Sequence, residues 1–146
     1  MKSMEKQKEL EGMYQRYYDD LKKALSGAKP FAGLFGFGSG PKDDPCHMRL
    51  IEDVKTYVSS LAEQNPSPED VKAVLTYILT EQKNVDKDSL GYWTLMAAHG
   101  AALPLIGRLT REDALALAEE YGRLVPKRER MPMQDQVLKV LKRRGA

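Results

Sequence analysis

The sequence predicts an all-α protein: one compact array of about six or seven helices, with a long Gly/Phe-rich loop after the first helix. Three observations predict it. Apolar residues recur at steps of three and four along most of the chain, the period of one face of an α-helix. No segment sustains the two-residue alternation of a half-buried strand. Proline, glycine and asparagine fall between the periodic stretches, beside Ser/Thr–x–x–acid tetrads that mark helix starts.

The first helix is expected over residues 4–25, where Leu10, Met13, Tyr14, Tyr17, Tyr18, Leu21 and Leu25 form one apolar stripe. Gly27 and Pro30 end it. Residues 26–44 contain the one glycine-rich stretch and read as a loop studded with Phe31, Leu34, Phe35 and Phe37. The helical core is expected over 45–146, all within a single domain spanning 1–146. Asp44 is placed to cap the second helix and Pro45 to open it, because a first-turn proline loses no hydrogen bond. Its buried stripe runs through His47, Ile51, Val54, Val58 and Leu61 until Asn65-Pro66 breaks it.

Ser67 then caps a third helix through Val71, Val74, Leu75, Ile78 and Leu79. After the polar stretch NVDKDS, residues 89–108 are helical in period and strongly apolar, with Trp93, Leu95, Met96, Leu103 and Ile106. Pro104 should kink or divide this stretch. Thr110 caps the next helix, which carries Leu115, Leu117, Ala118 and Tyr121 and stops at Gly122 and Pro126. A last helix follows Pro132 with Val137, Leu138, Val140 and Leu141 and ends near Gly145. The tetrads beginning at Ser67 and Thr110 lie 43 residues apart, a period open to a helical-pair solenoid. Capping explains both tetrads, so a compact array is the expectation.

Composition narrows the function classes. Charged residues make up 30% and apolar residues 42% of the 146, with a net charge of +2. That is globular composition, without the high net charge of disordered chains. The single cysteine, Cys46, cannot close an internal disulfide, which suits a reducing compartment. The lysines of the first twelve residues precede no apolar stretch, so a signal peptide is not expected there. The apolar run from Leu95 to Gly107 is interrupted by His99, Gly100 and Pro104 and falls short of the ~20 residues that span a bilayer. Cytoplasmic location and no membrane partner are the expectations.

Few residues carry chemistry. Cys46 falls in the first turn of a helix, where free N–H groups and the helix dipole favour a thiolate. With His47 or His99 it is the candidate centre for a thiol enzyme or redox sensor. Adjacent helical residues point about 100° apart, however, and Asp43 and Asp44 would oppose a thiolate. The expectation is therefore no catalytic residue, with Cys46 a small half-buried apolar group and each histidine hydrogen-bonded in the core to a carbonyl, tyrosine or carboxylate. No pair among Cys46, His47 and His99 has the i, i+4 or C-x-x-C spacing of a metal site, and acids such as Asp53 and Asp88 would complete a set only if the fold gathered them, so neither metal nor other cofactor is expected. The glycine loop lacks the Gly-Lys-Ser/Thr ending of a phosphate loop. Its Phe31, Leu34, Phe35 and Phe37 are instead the candidate partner-binding residues, should they stay outside the core.

Charge is uneven. Residues 123–146 hold eight Lys/Arg against two acids, while the first 122 hold fifteen against nineteen. Arg128, Arg130, Lys139, Lys142, Arg143 and Arg144 are the candidates for phosphate contacts. The sequence thus favours a small, non-catalytic helical interaction or adaptor protein that binds a protein partner or itself. A nucleic-acid-associated protein is the alternative, and a thiol enzyme or sensor at Cys46 the third reading.

Overall fold

The computed structural model describes residues 2–26, 45–80 and 90–146, and among these every regular element is helical. In chain order they are α1 (Lys2–Ser26), α2 (Cys46–Glu63), α3 (Pro68–Thr80), α4 (Leu90–Ala98), α5 (Leu103–Ile106), α6 (Arg111–Leu124) and α7 (Pro132–Gly145). Short 3-10 turns fill His99–Ala102 and Lys127–Glu129. Phe31, Leu34, Phe35 and Phe37 lie outside the described residues, as do Asp43 and Asp44.

The helix starts follow the local chemistry of the chain. Ser67 Oγ accepts the Asp70 N–H at 3.2 Å, and Thr110 Oγ1 accepts the Asp113 N–H at 3.1 Å. Both tetrads are thus true side-chain caps, each satisfying one of the stranded donors at a helix start. Asn65, between α2 and α3, takes the left-handed conformation with φ 55°, which asparagine tolerates better than most residues.

Residues 90–106 divide, but not at Pro104. Pro104 sits in the first turn of α5, and the α-helical course breaks upstream at His99–Ala102. A proline ring clashes with the carbonyl four residues before it, here that of Gly100. The chain relieves that clash by tightening the preceding turn to 3-10.

α1 lies against both α2 and α3 and is the neighbour each of them packs on most extensively. Its course relative to α2 is antiparallel, since Tyr17 meets His47 while Glu9 lies near Tyr57. The stripe Leu10, Tyr14, Tyr17 and Leu21 is buried, so the tyrosine-rich face of α1 is core rather than surface. The 3-10 turn and α5 occupy the other side of α2 and α3, and α7 packs on them from outside. α6 and α7 pack on each other more extensively than any other pair, antiparallel because Gly145 at the end of α7 abuts Leu115 near the start of α6.

Candidate functional site

Two buried His–Tyr pairs stand where the sequence placed its candidate chemistry. In the first, His47 of α2 is buried, and the hydroxyls of Tyr17 from α1 and Thr94 from α4 both lie 2.9 Å from its Nδ1. The Tyr17 ring meets the imidazole edge-on at a centroid distance of 5.6 Å. A neutral imidazole nitrogen has either one lone pair or one proton. The three groups therefore form one cluster rather than two independent bonds. Burial pushes the Tyr17 hydroxyl up to about 12, with the Thr94 hydrogen bond lowering it and nearby Cys46 raising it. Cys46 itself is buried beside this cluster.

The second pair lies between the 3-10 turn and α6. His99 Nδ1 is 2.8 Å from the Tyr121 hydroxyl, with the rings again edge-on at 5.4 Å. Both residues are fully buried. His99 Nε2 has no hydrogen-bond partner among the described residues. Desolvation holds the His99 imidazole down at about 3, so it stays neutral in the fold. The Tyr121 hydroxyl is pushed above its ordinary range, first by burial and then by Tyr92, against an opposing effect of Arg130. Cys46 and His47 are thus brought together with Tyr17 and Thr94, whereas His99 has its own tyrosine on a different helix.

Other buried polar groups had little signature in the sequence. Gln134 of α7 donates from Nε2 to the Met96 carbonyl at 2.8 Å, capping a carbonyl in the last turn of α4. Its spacing to Val137, Leu138 and Leu141 places it on their apolar face, and that spacing was the available signal. Asp70 is buried in the first turn of α3, where its N–H is capped by Ser67 Oγ. Among the described residues no group of His, Cys, Asp and Glu could hold a metal ion.

The basic C-terminal residues divide into two sets. Arg130 donates from Nε to the Val125 carbonyl at 2.9 Å, and Arg144 from Nε to the Leu109 carbonyl at 2.7 Å. Each satisfies a carbonyl just outside one end of α6. Arg130 also faces Asp135 at 3.5 Å. Arg128, Lys139, Lys142 and Arg143 are exposed. Arg128 follows the end of α6 and Lys142 lies in the last turn of α7, so they sit toward opposite ends of the antiparallel pair.

The surface holds a feature that the apolar period did not reveal. Trp93, part of the apolar stretch over residues 89–108, is 54% exposed on α4, and Met48 is 60% exposed on α2. Each adjoins in sequence one end of the His47–Thr94 bond.

The fold and these sites define an all-helical domain whose histidines are bonded into its core. Set beside known proteins, the chain matches no family, no curated protein and no solved structure. Among the described residues no helix is long and apolar enough to cross a membrane.

Proposed function

We propose that the chain is a small cytoplasmic interaction or adaptor protein that works without catalysis. The observation that carries this reading is Trp93, a large apolar side chain left 54% exposed on α4. A tryptophan half in water forgoes much of its hydrophobic stabilisation, and tryptophan is enriched at the energetic centres of protein interfaces. The side chains best suited to chemistry support the reading from the other side. Cys46, His47 and His99 are buried, and both imidazoles are bonded to core hydroxyls.

Trp93 is the single tryptophan of the chain, so its emission reports on this surface directly. Addition of a partner recovered from cell extract and then purified should shift that emission to the blue and protect Trp93 from quenching by acrylamide. Trp93→Ala, Met48→Ala should fold as the wild type by circular dichroism and bind at least tenfold more weakly, about 1.4 kcal/mol or more. A variant that retained every partner at full affinity would remove the reading.

A further inference from the structure

The solvent side of α4 and the 3-10 turn after it is apolar throughout. No Asp, Glu, Lys or Arg occurs from Ser89 to Gly107, whereas α1, α2, α3, α6 and α7 each place charged side chains in water. The 3-10 turn carries α4 onward in the same right-handed sense, with Ala98 at φ −68°, ψ −18°. At about 100° per α-helical residue and about 120° per 3-10 residue, Trp93, Ala97 and Gly100 fall within about 40° of one another. Burial agrees. Trp93 is exposed and Ala97 and Gly100 half-buried, while Thr94, Leu95, Met96, Ala98 and His99 between them are buried. Met133 of α7, 37% exposed, lays the end of its side chain over Gly100, where a Cβ would meet its Sδ and Cε at 2.9 Å. Along the helical course Trp93 stands about 6 Å before Ala97, and Gly100 with its Met133 cover about 5–6 Å beyond it.

We propose that the partner of the Trp93 surface is a second copy of this chain, the two α4 helices crossing antiparallel about a twofold axis at Ala97. This rests on the reading of Trp93 as an interaction surface given above. A twofold contact requires one surface to carry both halves of its own complement. This face does so. Rotation about Ala97 exchanges its two sides, which sets Trp93 of each copy on Met133 of the other and Ala97 against its own counterpart. A thioether packs favourably on an aromatic ring, and the small Ala97 side chains let the helices approach closely where they cross. Interface centres are enriched in tryptophan and methionine and depleted in charge, the composition of this face.

The size of the face sets the strength. From Leu90 to Ile106 the helical course is about 26 Å long and about 10–12 Å across, roughly 300 Å² per copy. A stable complex buries about 800 Å² per partner. The dimer is accordingly weak, reversible and concentration-dependent. Because its contacts are apolar, salt does not dissociate it.

Sedimentation equilibrium of the full chain from micromolar to millimolar protein tests this, with Trp93 emission followed over the same range. The wild type should dimerise, its emission shifting to the blue and losing acrylamide quenching as the dimer forms. Ala97→Glu and Ala97→Lys each oppose like charges at the axis and should raise the dimer Kd at least tenfold, with helical content unchanged. An equimolar mixture of the two should associate at least tenfold more tightly at low salt than either alone, because only the mixed pair sets opposite charges there. A wild type that stays monomeric at millimolar concentration overturns the proposal, and a blue shift of Trp93 on adding the purified extract partner would then leave the interaction reading standing. A dimer indifferent to either Ala97 substitution overturns it as well, as does a mixture no tighter than its components. So does a monomer whose Trp93 is already protected from acrylamide, the face then being covered from within its own chain.

Discussion

At the scale of single residues, the two His–Tyr pairs differ in how much each hydroxyl matters. Tyr121 is the hydrogen-bonding side chain found on His99 Nδ1, whereas His47 Nδ1 has both Tyr17 and Thr94 within reach. Tyr121→Phe strands a buried imidazole and should cost about 1–3 kcal/mol, while Tyr17→Phe leaves Thr94 in place and should cost about 1 kcal/mol. Urea unfolding of the two variants checks the order. Replacing both members of the second pair, His99→Leu with Tyr121→Phe, should recover much of the loss, because neither polar group is then left alone.

The same double variant tests the pH dependence. The His99 imidazole is held at about 3 in the fold, against an ordinary 6.5 in the unfolded chain. Above pH 6.5 both states are neutral there and His99 adds no slope. As pH falls from 6.5 toward 3 the unfolded chain takes up a proton that the native state refuses, so stability declines. Near pH 4.5 the loss from this one group is about 2–3 kcal/mol. Urea midpoints across that window should fall more steeply for the wild type than for the double variant.

At the scale of elements, helix ends are where single substitutions should act most cleanly. Thr110→Ala removes the cap on the Asp113 N–H and should destabilise by about 1 kcal/mol, with Thr110→Ser retaining most of it. Two glycines give a sharper contrast. A methyl at Gly145 would come within 2.5 Å of the branched Leu115 side chain and 3.3 Å of its backbone nitrogen. A methyl at Gly100 would meet only the end of the Met133 side chain, at 2.9 Å. Met133 is flexible enough to swing aside. Gly145→Ala should therefore cost about 1–3 kcal/mol and Gly100→Ala much less, as thermal melts of the two would show. Elements of this kind were legible in the sequence, because caps, prolines and apolar periods are local. Ser67, Thr110 and Pro132 mark their helices to within a residue. Pro104 was legible as a disturbance but not in its place, since its clash falls on Gly100. Trp93, Thr94 and Gln134 were less legible, because which flank of a short apolar helix faces water depends on helices distant in the chain. The pairing of each histidine with its tyrosine, 30 and 22 residues away, depends on the same long-range packing.

At the scale of the whole molecule, α1 ties α2 to α3. Tyr14 is fully buried and meets Tyr77 of α3 edge-on at 5.2 Å, while Tyr17 reaches α2 and α4 through the His47 cluster. Tyr14→Ala should cost about 3–5 kcal/mol, as for other large core truncations. Its effect should reach beyond α1, with faster amide exchange in both α2 and α3 read by hydrogen–deuterium exchange. This arrangement also has a consequence for biosynthesis. α1 leaves the ribosome before either surface it is built to cover, and α3 ends about 50 residues later. At ~5–20 residues per second that interval lasts about 3–10 s. Throughout it, Leu10, Tyr14, Tyr17 and Leu21 travel as an uncovered apolar stripe, until the third helix emerges and claims them.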